Sequence, residues 1–156
     1  MVVKTFVILS DSHGHRERVE KLRALFAEND YIVHLGDGRC DMRDFARVYP
    51  EKIYAASGNC DRAEGCDEGV IEAEKLSVFY CHGHKYGVKS TLARLAARAK
   101  EKGCEIALYG HTHRAEIREV DGVLCINPGA LSSFTQPSYC YLVLHNGKPT
   151  ATIVPI

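Results

Sequence analysis

The stretch Tyr109-Gly110-His111-Thr112-His113 follows a short apolar run. A buried run that opens into glycine and two imidazoles predicts a strand whose carboxyl end delivers side chains into a loop. Alternate residues of an extended segment point the same way, so His111 and His113 could reach one small site together. Gly110 is expected to let the backbone turn tightly there. One such pair, taken alone, is more often a chance surface pair than a set of ligands.

Four other apolar runs end in the same way, in Asp, Asn or His beside glycine. Their clusters are Asp11-Ser12-His13-Gly14-His15, Gly36-Asp37, Gly58-Asn59-Cys60-Asp61 and His82-Gly83-His84. Six of the eight histidines fall in three H-x-H pairs, which a random scatter would rarely produce. The recurrence indicates a functional site built from several loop tips.

The composition narrows the class of protein. The chain of 156 residues suits one domain. Its 20 acidic and 20 basic side chains balance, so the net charge gives no indication that the protein wraps nucleic acid or binds a membrane surface. No apolar stretch approaches the ~20 residues of a membrane span, and the apolar start is interpreted as a first strand rather than a signal peptide. Seven scattered cysteines without C-x-x-C argue against a disulfide framework or a zinc ribbon. A reducing cytoplasm is predicted.

Strands and helices alternate in the first half of the chain. Three apolar runs without polar alternation predict central strands over residues 2–9, 31–35 and 52–57. The segments between them predict amphipathic helices over residues 16–29 and 41–49. This order is typical of parallel βαβ units, which bind ligands at the carboxyl ends of their strands. The clusters at Asp11, Asp37 and Asn59 fall at those ends.

The second half adds one helix and mainly antiparallel strands. A helix is predicted over residues 88–102, with Gly103 as its C-cap. Two-residue turns at Asp121-Gly122 and Asn146-Gly147 predict two hairpins. Further strands are predicted over residues 70–73, 76–81 and 105–109. Two facing sheets with helices outside would account for both halves, and no linker divides the chain, so residues 1–156 are predicted to form a single domain.

The clusters offer oxygen and imidazole donors to a common site: Asp11, His13, Asp37, Asn59, His82, His111 and His113. Such donors without thiolate suit Mn²⁺, Fe, Zn²⁺ or Ni²⁺. Seven ligands are too many for one tetrahedral ion but suit two ions that share a carboxylate. Two divalent ions ~3.5–4 Å apart are the usual apparatus for displacement at phosphorus. The neutral amide of Asn59 leaves the site more electropositive than a third carboxylate would, which favours an anionic substrate.

Five motifs, D-x-H, G-D, G-N-x-D, H-G-H and G-H-x-H, stand in the order of the calcineurin-like metallophosphoesterases. The resemblance runs from residue 2 to about residue 130 and includes Asn127-Pro128-Gly129. The chain looks most similar to the small bacterial and archaeal phosphodiesterases of that superfamily, which share the G-N-C-D form. The resemblance implies an α/β fold, a four-layer α/β/β/α sandwich of two mixed sheets flanked by helices.

The resemblance also implies two ion sites bridged by Asp37, the first on Asp11, His13 and His113 and the second on Asn59, His82 and His111. The implied activity is hydrolysis of phosphodiester bonds by a metal-activated hydroxide. Mn²⁺ is the favoured ion, with Ni²⁺, Zn²⁺ or Fe as alternatives. The expected substrate is a small phosphodiester, nucleic acid is expected only as a small nucleotide, and a homo-oligomer is left open because small members of the family often associate.

The chain departs from the family at one position. Many members carry His after the Asn of the third motif, where it is taken to protonate the leaving group, but here that residue is Cys60. A thiol with an ordinary pKa of ~8.5 is a poor acid at neutral pH. His84 and His15 remain as candidate acids or phosphate contacts, and the candidate catalytic residues are Asn59 and His84. The sequence predicts a preference for leaving groups that need little proton assistance.

Other interpretations stay open. A non-catalytic scaffold on the same fold is the main alternative, as in the retromer subunit that is similar to these phosphodiesterases but lacks part of the ligand set. A metal-storage or sensing module is a third. His34 is predicted to be a core side chain, and Asp61 either orients a ligand or caps its loop. Five cations beside the motifs could steer phosphate or be ordinary surface charges: Arg16, Arg39, Arg62, Lys85 and Arg114.

Overall fold

Two five-stranded sheets make up the centre of the part of the chain that the computed structural model describes, residues 2–62 and 66–156. The strands of the first half are β1 (Val3–Leu9), β2 (Tyr31–His34), β3 (Ile53–Ala55), β4 (Glu68–Ala73) and β5 (Leu76–Cys81). Those of the second half are β6 (Ile106–Leu108), β7 (Glu116–Val120), β8 (Val123–Asn127), β9 (Ser138–His145) and β10 (Lys148–Pro155). The polar, glycine-containing segment from Arg62 to Gly69 is expected to be a loop; its residues 63–65 lie outside the described residues, and β4 begins at Glu68.

Both sheets are mixed, as predicted. The first has the order β10-β9-β1-β2-β3, in which β1, β2 and β3 are parallel and β9 is antiparallel to β1. The second has the order β4-β5-β6-β8-β7, with β5, β6 and β8 parallel. The turn residues Asp121, Gly122, Asn146 and Gly147 all have positive φ, which matches the twist of the flanking strands. Both predicted hairpins are therefore confirmed.

In the described parts of the chain, four α-helices and two 3₁₀ helices cover the sheets: α1 (Arg16–Glu20), α2 (Arg23–Glu28), α3 (Arg43–Val48), α4 (Ala93–Glu101), Arg39–Met42 and His84–Tyr86. The prediction of one helix over residues 16–29 is wrong, because the chain breaks between α1 and α2, and Val19, Leu22 and Phe26 on both sides of the break are buried. The last predicted helix begins late, after a turn at Gly87 with φ 61°. No helix in the described ranges is long and apolar enough to cross a membrane.

The α4 helix ends as predicted. Gly103 follows its last residues with φ 74°, and the N–H of Cys104 reaches back to the carbonyl of Ala99 at 2.8 Å. This is the hydrogen bond of a glycine-ended helix, and it satisfies a carbonyl that the helix itself leaves without a partner.

Three buried clusters arrange these elements in four layers. Phe6 and Ile8 of β1 face the second sheet, in one cluster with Val78 and Leu108. Val7 and Leu9, the alternate residues of β1, pack with residues of α1, α2 and α3, and α4 packs on the outside of the second sheet. Because side chains alternate along a strand, each sheet is covered on both faces. The predicted α/β/β/α sandwich is confirmed, and the carboxyl ends of its parallel strands are left free to build a site.

Candidate metal centre

The loops that follow β1, β2, β5 and β6 bring six of the seven predicted ligands into two groups. The donor atoms within each group lie within 4.8 Å of one another. The first donor group is Asp11, His13 and His113, and the second donor group is Asp37, His82 and His111. The two histidines of the H-x-H pair after β6 thus lie in the same region, as expected. The structure divides them between the two groups, with His113 in the first and His111 in the second.

The first donor group surrounds a carboxylate oxygen without a hydrogen bond. Oδ1 of the fully buried Asp11 lies 3.0 Å from Nε2 of His113 and 3.6 Å from Nε2 of His13. Among the described residues this oxygen accepts no hydrogen bond, whereas Oδ2 accepts one from the Ser10 hydroxyl and one from the N–H of His111. A buried carboxylate oxygen without a partner is costly. A cation between this oxygen and the two imidazoles would remove that cost, so the group fits a divalent ion.

The second donor group meets the first at Asp37. Oδ2 of Asp37 lies 3.3 Å from Nε2 of His82 and 3.9 Å from Nε2 of His13, which belongs to the first group. Nδ1 of His82 donates to the carbonyl of Leu35 at 2.7 Å, so the neutral ring carries its lone pair on Nε2. That Nε2 is 3.1 Å from Nδ1 of His111. A histidine held in this way through its other nitrogen is a typical oriented metal ligand.

The electrostatics keep Asp37 ionised. Burial by itself would raise the pKa of Asp37, but the neighbouring His82 ring in its protonated form and the hydrogen bond from the N–H of Cys60 outweigh it and hold the pKa well below the ordinary value. Burial opposes the charged form of His82 too, yet Asp37 raises the pKa of that ring. Burial and the neighbouring His82 lower the pKa of His111. The site thus presents a carboxylate and a largely neutral imidazole, which are the forms that bind cations.

The backbone is strained at the same positions. Five of the predicted ligands have φ between 43° and 71°, namely Asp11, His13, Asp37, His111 and His113. The other described non-glycine residues with positive φ lie in the two-residue turns of the three hairpins. Residues with side chains rarely adopt this region, and they keep it where the surrounding structure holds them. The strain indicates that the fold fixes these side chains for a purpose other than packing.

Gly110 has a role beyond the predicted one. The tight turn at this position is present, since the N–H of Thr112 donates to the carbonyl of Gly110 at 2.8 Å, but the positive φ of the turn lies at His111 and not at Gly110. A Cβ at this position would lie 2.1 Å from Oγ of Ser10 and 2.8 Å from Oδ2 of Asp11. Gly110 is therefore required because the loop after β6 must approach the loop after β1 very closely.

Asp61 positions Asp37. Its carboxylate accepts hydrogen bonds from the backbone N–H groups of Asp37, Gly38, Arg39 and Gly58, at 2.8 to 3.2 Å. Burial would raise the pKa of Asp61, but these four donors outweigh it and lower the pKa. Both sequence interpretations of Asp61 hold, because it caps the loop and orients a predicted ligand at the same time.

The predicted ligand Asn59 is exposed, and its amide nitrogen lies 3.5 Å from Sγ of Cys60. Cys60 itself contacts the centre, since its N–H donates to Oδ1 of Asp37 at 2.8 Å and its sulfur lies within 4.8 Å of donor atoms of His13 and Asp37. Burial and the charge of Asp37 raise the pKa of the Cys60 thiol. From the sequence, Cys60 was expected at the position of the leaving-group acid, but no thiol was counted among the donors.

The candidate catalytic residue His84 stands beside the second donor group. Its ring centroid is 5.3 Å from that of His82 and 6.1 Å from that of His111. Its Nδ1 is buried and has no hydrogen-bond partner among the described residues. Burial and the neighbouring His82 lower the pKa of His84. The ring is therefore mainly neutral at neutral pH, which weakens it as a proton donor.

A buried network below the first donor group includes a residue that the sequence analysis missed. His34 Nδ1 accepts the N–H of Gly36 at 3.0 Å, so its Nε2 donates to the Ser12 hydroxyl at 2.9 Å. Ser12 in turn donates to Asp41 at 2.7 Å. The interpretation of His34 as a core side chain is confirmed. Asp41 had no distinguishing signal, because a single acidic residue at the start of a predicted helix is usually a surface residue.

The free energy of unfolding should decrease as the pH is lowered, because of His34. Burial lowers the pKa of His34 from 6.5 to about 4, so the unfolded chain takes up a proton between these values while the folded chain does not. Its contribution is fully present above pH 6.5 and is lost as the pH falls towards 4, by about 3 kcal/mol in total. Urea unfolding of the chelator-treated protein between pH 7 and 4.5 measures this loss. In the His34→Gln variant the slope should be clearly smaller, and an equal slope would contradict the assignment.

Comparison with known proteins agrees with the geometry. The family model for the calcineurin-like phosphoesterase superfamily domain matches residues 5–148. The probable metallophosphoesterase YsnB of Bacillus subtilis is 34% identical over 149 residues, which cover 92% of this chain and 86% of that protein. A phosphodiesterase of Methanocaldococcus jannaschii is 30% identical over 142 residues, covering 78% of this chain and 81% of its own.

The fold extends to more distant proteins. The solved structure of vacuolar protein sorting 29 from Cryptosporidium parvum superposes with a TM-score of 0.78 at 18% identity, covering 100% of this chain and 99% of that one. At this identity the likeness concerns the fold alone. The match of the family model over most of the chain, together with the two relatives, shows that the chain belongs to the calcineurin-like phosphoesterase superfamily.

Proposed function

We propose that this phosphoesterase is a dinuclear, metal-dependent phosphodiesterase that uses Mn²⁺. The observation that carries the proposal is the meeting of the two donor groups at Asp37, whose Oδ2 faces a histidine of each group. One ion would be held by the first donor group and the other by the second, with Asp37 shared between them. Asn59 belongs to the proposed second set through the family pattern.

When bound, a pair of divalent ions supplies a nucleophilic hydroxide at neutral pH and positive charge opposite the phosphate oxygens. The residues of this chain provide the positions. Asp11 is fixed by Ser10 and by the N–H of His111, and Asp37 by the N–H of Cys60. These contacts hold the donors before substrate arrives, so little reorganisation is needed during the reaction.

The name of one relative supports a diester as the substrate, since the Methanocaldococcus protein is called a phosphodiesterase. The neutral Asn59 leaves the proposed centre less negative than a third carboxylate would, which favours an anionic phosphate ester of either kind. His84, beside His82, is the proposed proton donor or phosphate contact on the leaving-group side.

The test is metal-dependent turnover. Protein freed of metal and then titrated with Mn²⁺ should bind two ions per chain and hydrolyse bis(p-nitrophenyl) phosphate, with activity appearing as the second ion binds. Binding of two ions without hydrolysis of any phosphate ester would favour a storage or sensing module. Absence of both binding and turnover would favour a scaffold on the same fold.

The free state of all seven cysteines supports the predicted reducing, cytoplasmic location.

The rate should depend steeply on the leaving group. Neither the Cys60 thiol, whose pKa is raised, nor His84, whose pKa is lowered, is a good acid at neutral pH. Aryl diesters should therefore be hydrolysed at least about a hundredfold faster than alkyl diesters, as measured by kcat over a series of leaving groups. A rate that does not change with leaving-group pKa would contradict this.

Two variants identify the acid. The Cys60→His variant restores the imidazole that many relatives carry, so it should raise the rate on alkyl diesters more than the rate on aryl diesters. His84→Ala should lower the alkyl rate more than the aryl rate if His84 donates the proton. If it lowers both equally, His84 contacts the phosphate instead.

A further inference from the structure

A groove opens beside the candidate centre, at the edge of the first sheet. Its volume is about 780 Å³, and it lies between α3 and the edge strand β3. Pockets for small molecules have volumes of about 300–1,000 Å³, so the groove is large enough for more than a phosphate group. The function proposed above does not use it.

The groove and the centre share one residue. Cys60 lines the groove, and the same residue donates its N–H to Asp37 and places its sulfur near His13. The neighbouring Asp61, which also lines the groove, holds the loop of Asp37. The groove therefore adjoins the centre through the loop of Cys60 and Asp61.

The walls of the groove differ in chemistry. Three arginines line it, Arg39, Arg43 and Arg62, and Asp61 is the one acidic residue of the lining among the described residues. That carboxylate is already occupied by four backbone N–H groups, so it opposes an incoming anion only weakly. Apolar side chains form the remaining wall, including Met42, Ile53 and Ala55.

We propose that this groove binds the second phosphate and the base of a nucleotide, so that the preferred substrate is a short nucleotide diester with another phosphate next to the scissile one. Guanidinium groups bind phosphate through paired, charge-assisted hydrogen bonds, and an apolar wall suits the flat face of a base. Diesters with a single phosphate, such as cyclic mononucleotides or glycerophosphodiesters, offer no anion to the three arginines. This inference rests on the proposed function, because it takes the scissile phosphate to lie at the metal centre.

The first test compares two substrates that differ in one group, adenylyl-adenosine with and without a 5′-phosphate, on the Mn²⁺-loaded enzyme. The ratio of their kcat/KM values should favour the phosphorylated compound at least tenfold. The Arg43→Gln and Arg62→Gln variants should each reduce this ratio about tenfold. Arg47→Gln is the matched control, because Arg47 lies on the same helix, is exposed and is not among the residues of the groove. A ratio near one in the unmodified enzyme would overturn the proposal.

The second test does not depend on turnover. Calorimetric titration of the metal-free protein with adenosine 5′-diphosphate should show binding that Arg43→Gln weakens about tenfold and that Arg47→Gln leaves unchanged. Adenosine alone should bind much more weakly. If this binding is found while no phosphate ester is hydrolysed, the proposed function fails but the groove remains a nucleotide site. If hydrolysis of simple diesters is found without such binding, the groove proposal fails alone.

Discussion

Replacing Asp37 with asparagine is expected to reduce Mn²⁺-dependent hydrolysis of bis(p-nitrophenyl) phosphate by about a thousandfold or more. Among the described residues, Asp37 is the one carboxylate within 4 Å of histidine nitrogens of both donor groups, at 3.3 Å from His82 and 3.9 Å from His13. The amide keeps the size of the side chain but removes the negative charge that two neighbouring cations would share. The loss should appear in kcat, measured at saturating substrate and with Mn²⁺ in excess.

Metal analysis and a control variant make this result specific. Metal content, measured after gel filtration, should fall from two ions per chain to one or none in Asp37→Asn. Asp44→Asn is the control, because Asp44 is an exposed residue of α3 outside both donor groups. It should retain the activity and both ions. Full activity in Asp37→Asn would show that the two donor groups do not act as one centre, and the dinuclear proposal would be abandoned.

Gly110→Ala is expected to reduce the free energy of unfolding by about 3 kcal/mol, which is the upper range for an overpacked buried site. The added methyl group would overlap the Ser10 hydroxyl, which is fully buried, and would crowd the carboxylate of Asp11. Because Ser10 fixes Asp11, the variant should also weaken binding of the ion at the first donor group. Urea unfolding measures the first effect and Mn²⁺ titration the second.

Ser10→Ala in the same chain tests the cause. It removes the nearest colliding atom, so the double variant should be more stable than Gly110→Ala alone, although the weak metal binding should persist without the Ser10 hydroxyl. Gly122→Ala serves as a comparison, since a Cβ there meets nothing within 4 Å and only its φ of 82° opposes the change. It should cost about 1 kcal/mol and leave metal binding intact. Equal metal affinity in the Gly110→Ala variant would contradict the proposed role of the close approach.

Local patterns were sufficient for much of the fold. The apolar run before Asp11 became β1, and the Asp-Gly and Asn-Gly pairs became hairpin turns, because both depend on residues adjacent in the chain. The break between α1 and α2 could not be predicted, because Val19, Leu22 and Phe26 continue a helical spacing across it. The break depends on how these side chains fit against the first sheet, and the sequence does not contain that information locally.

At the candidate site, too, local motifs predicted some features, whereas contacts between distant residues could not be predicted. Motif order brought out the donors, and six of the seven predicted ligands lie in the two groups. The contacts that hold them come from distant parts of the chain, as when the N–H of Cys60 reaches Asp37 and Asp41 reaches Ser12. The role of Gly110 was predicted only in part for the same reason, since its close neighbour is Ser10, a hundred residues earlier in the sequence. Such contacts are set by the packing of the sheets rather than by any local motif.

The placement of every donor on a loop tip has an evolutionary consequence. The layers are joined by apolar side chains, mainly of strands and helices, whereas the donors lie on the loops after the strands, so the framework and the chemistry depend on different residues. A descendant could replace the loop residues one at a time while its sheets remained intact, and the vacated edge would become a surface open to new uses. The framework that this chain shares with vacuolar protein sorting 29 shows how far the sequence can diverge while the architecture persists.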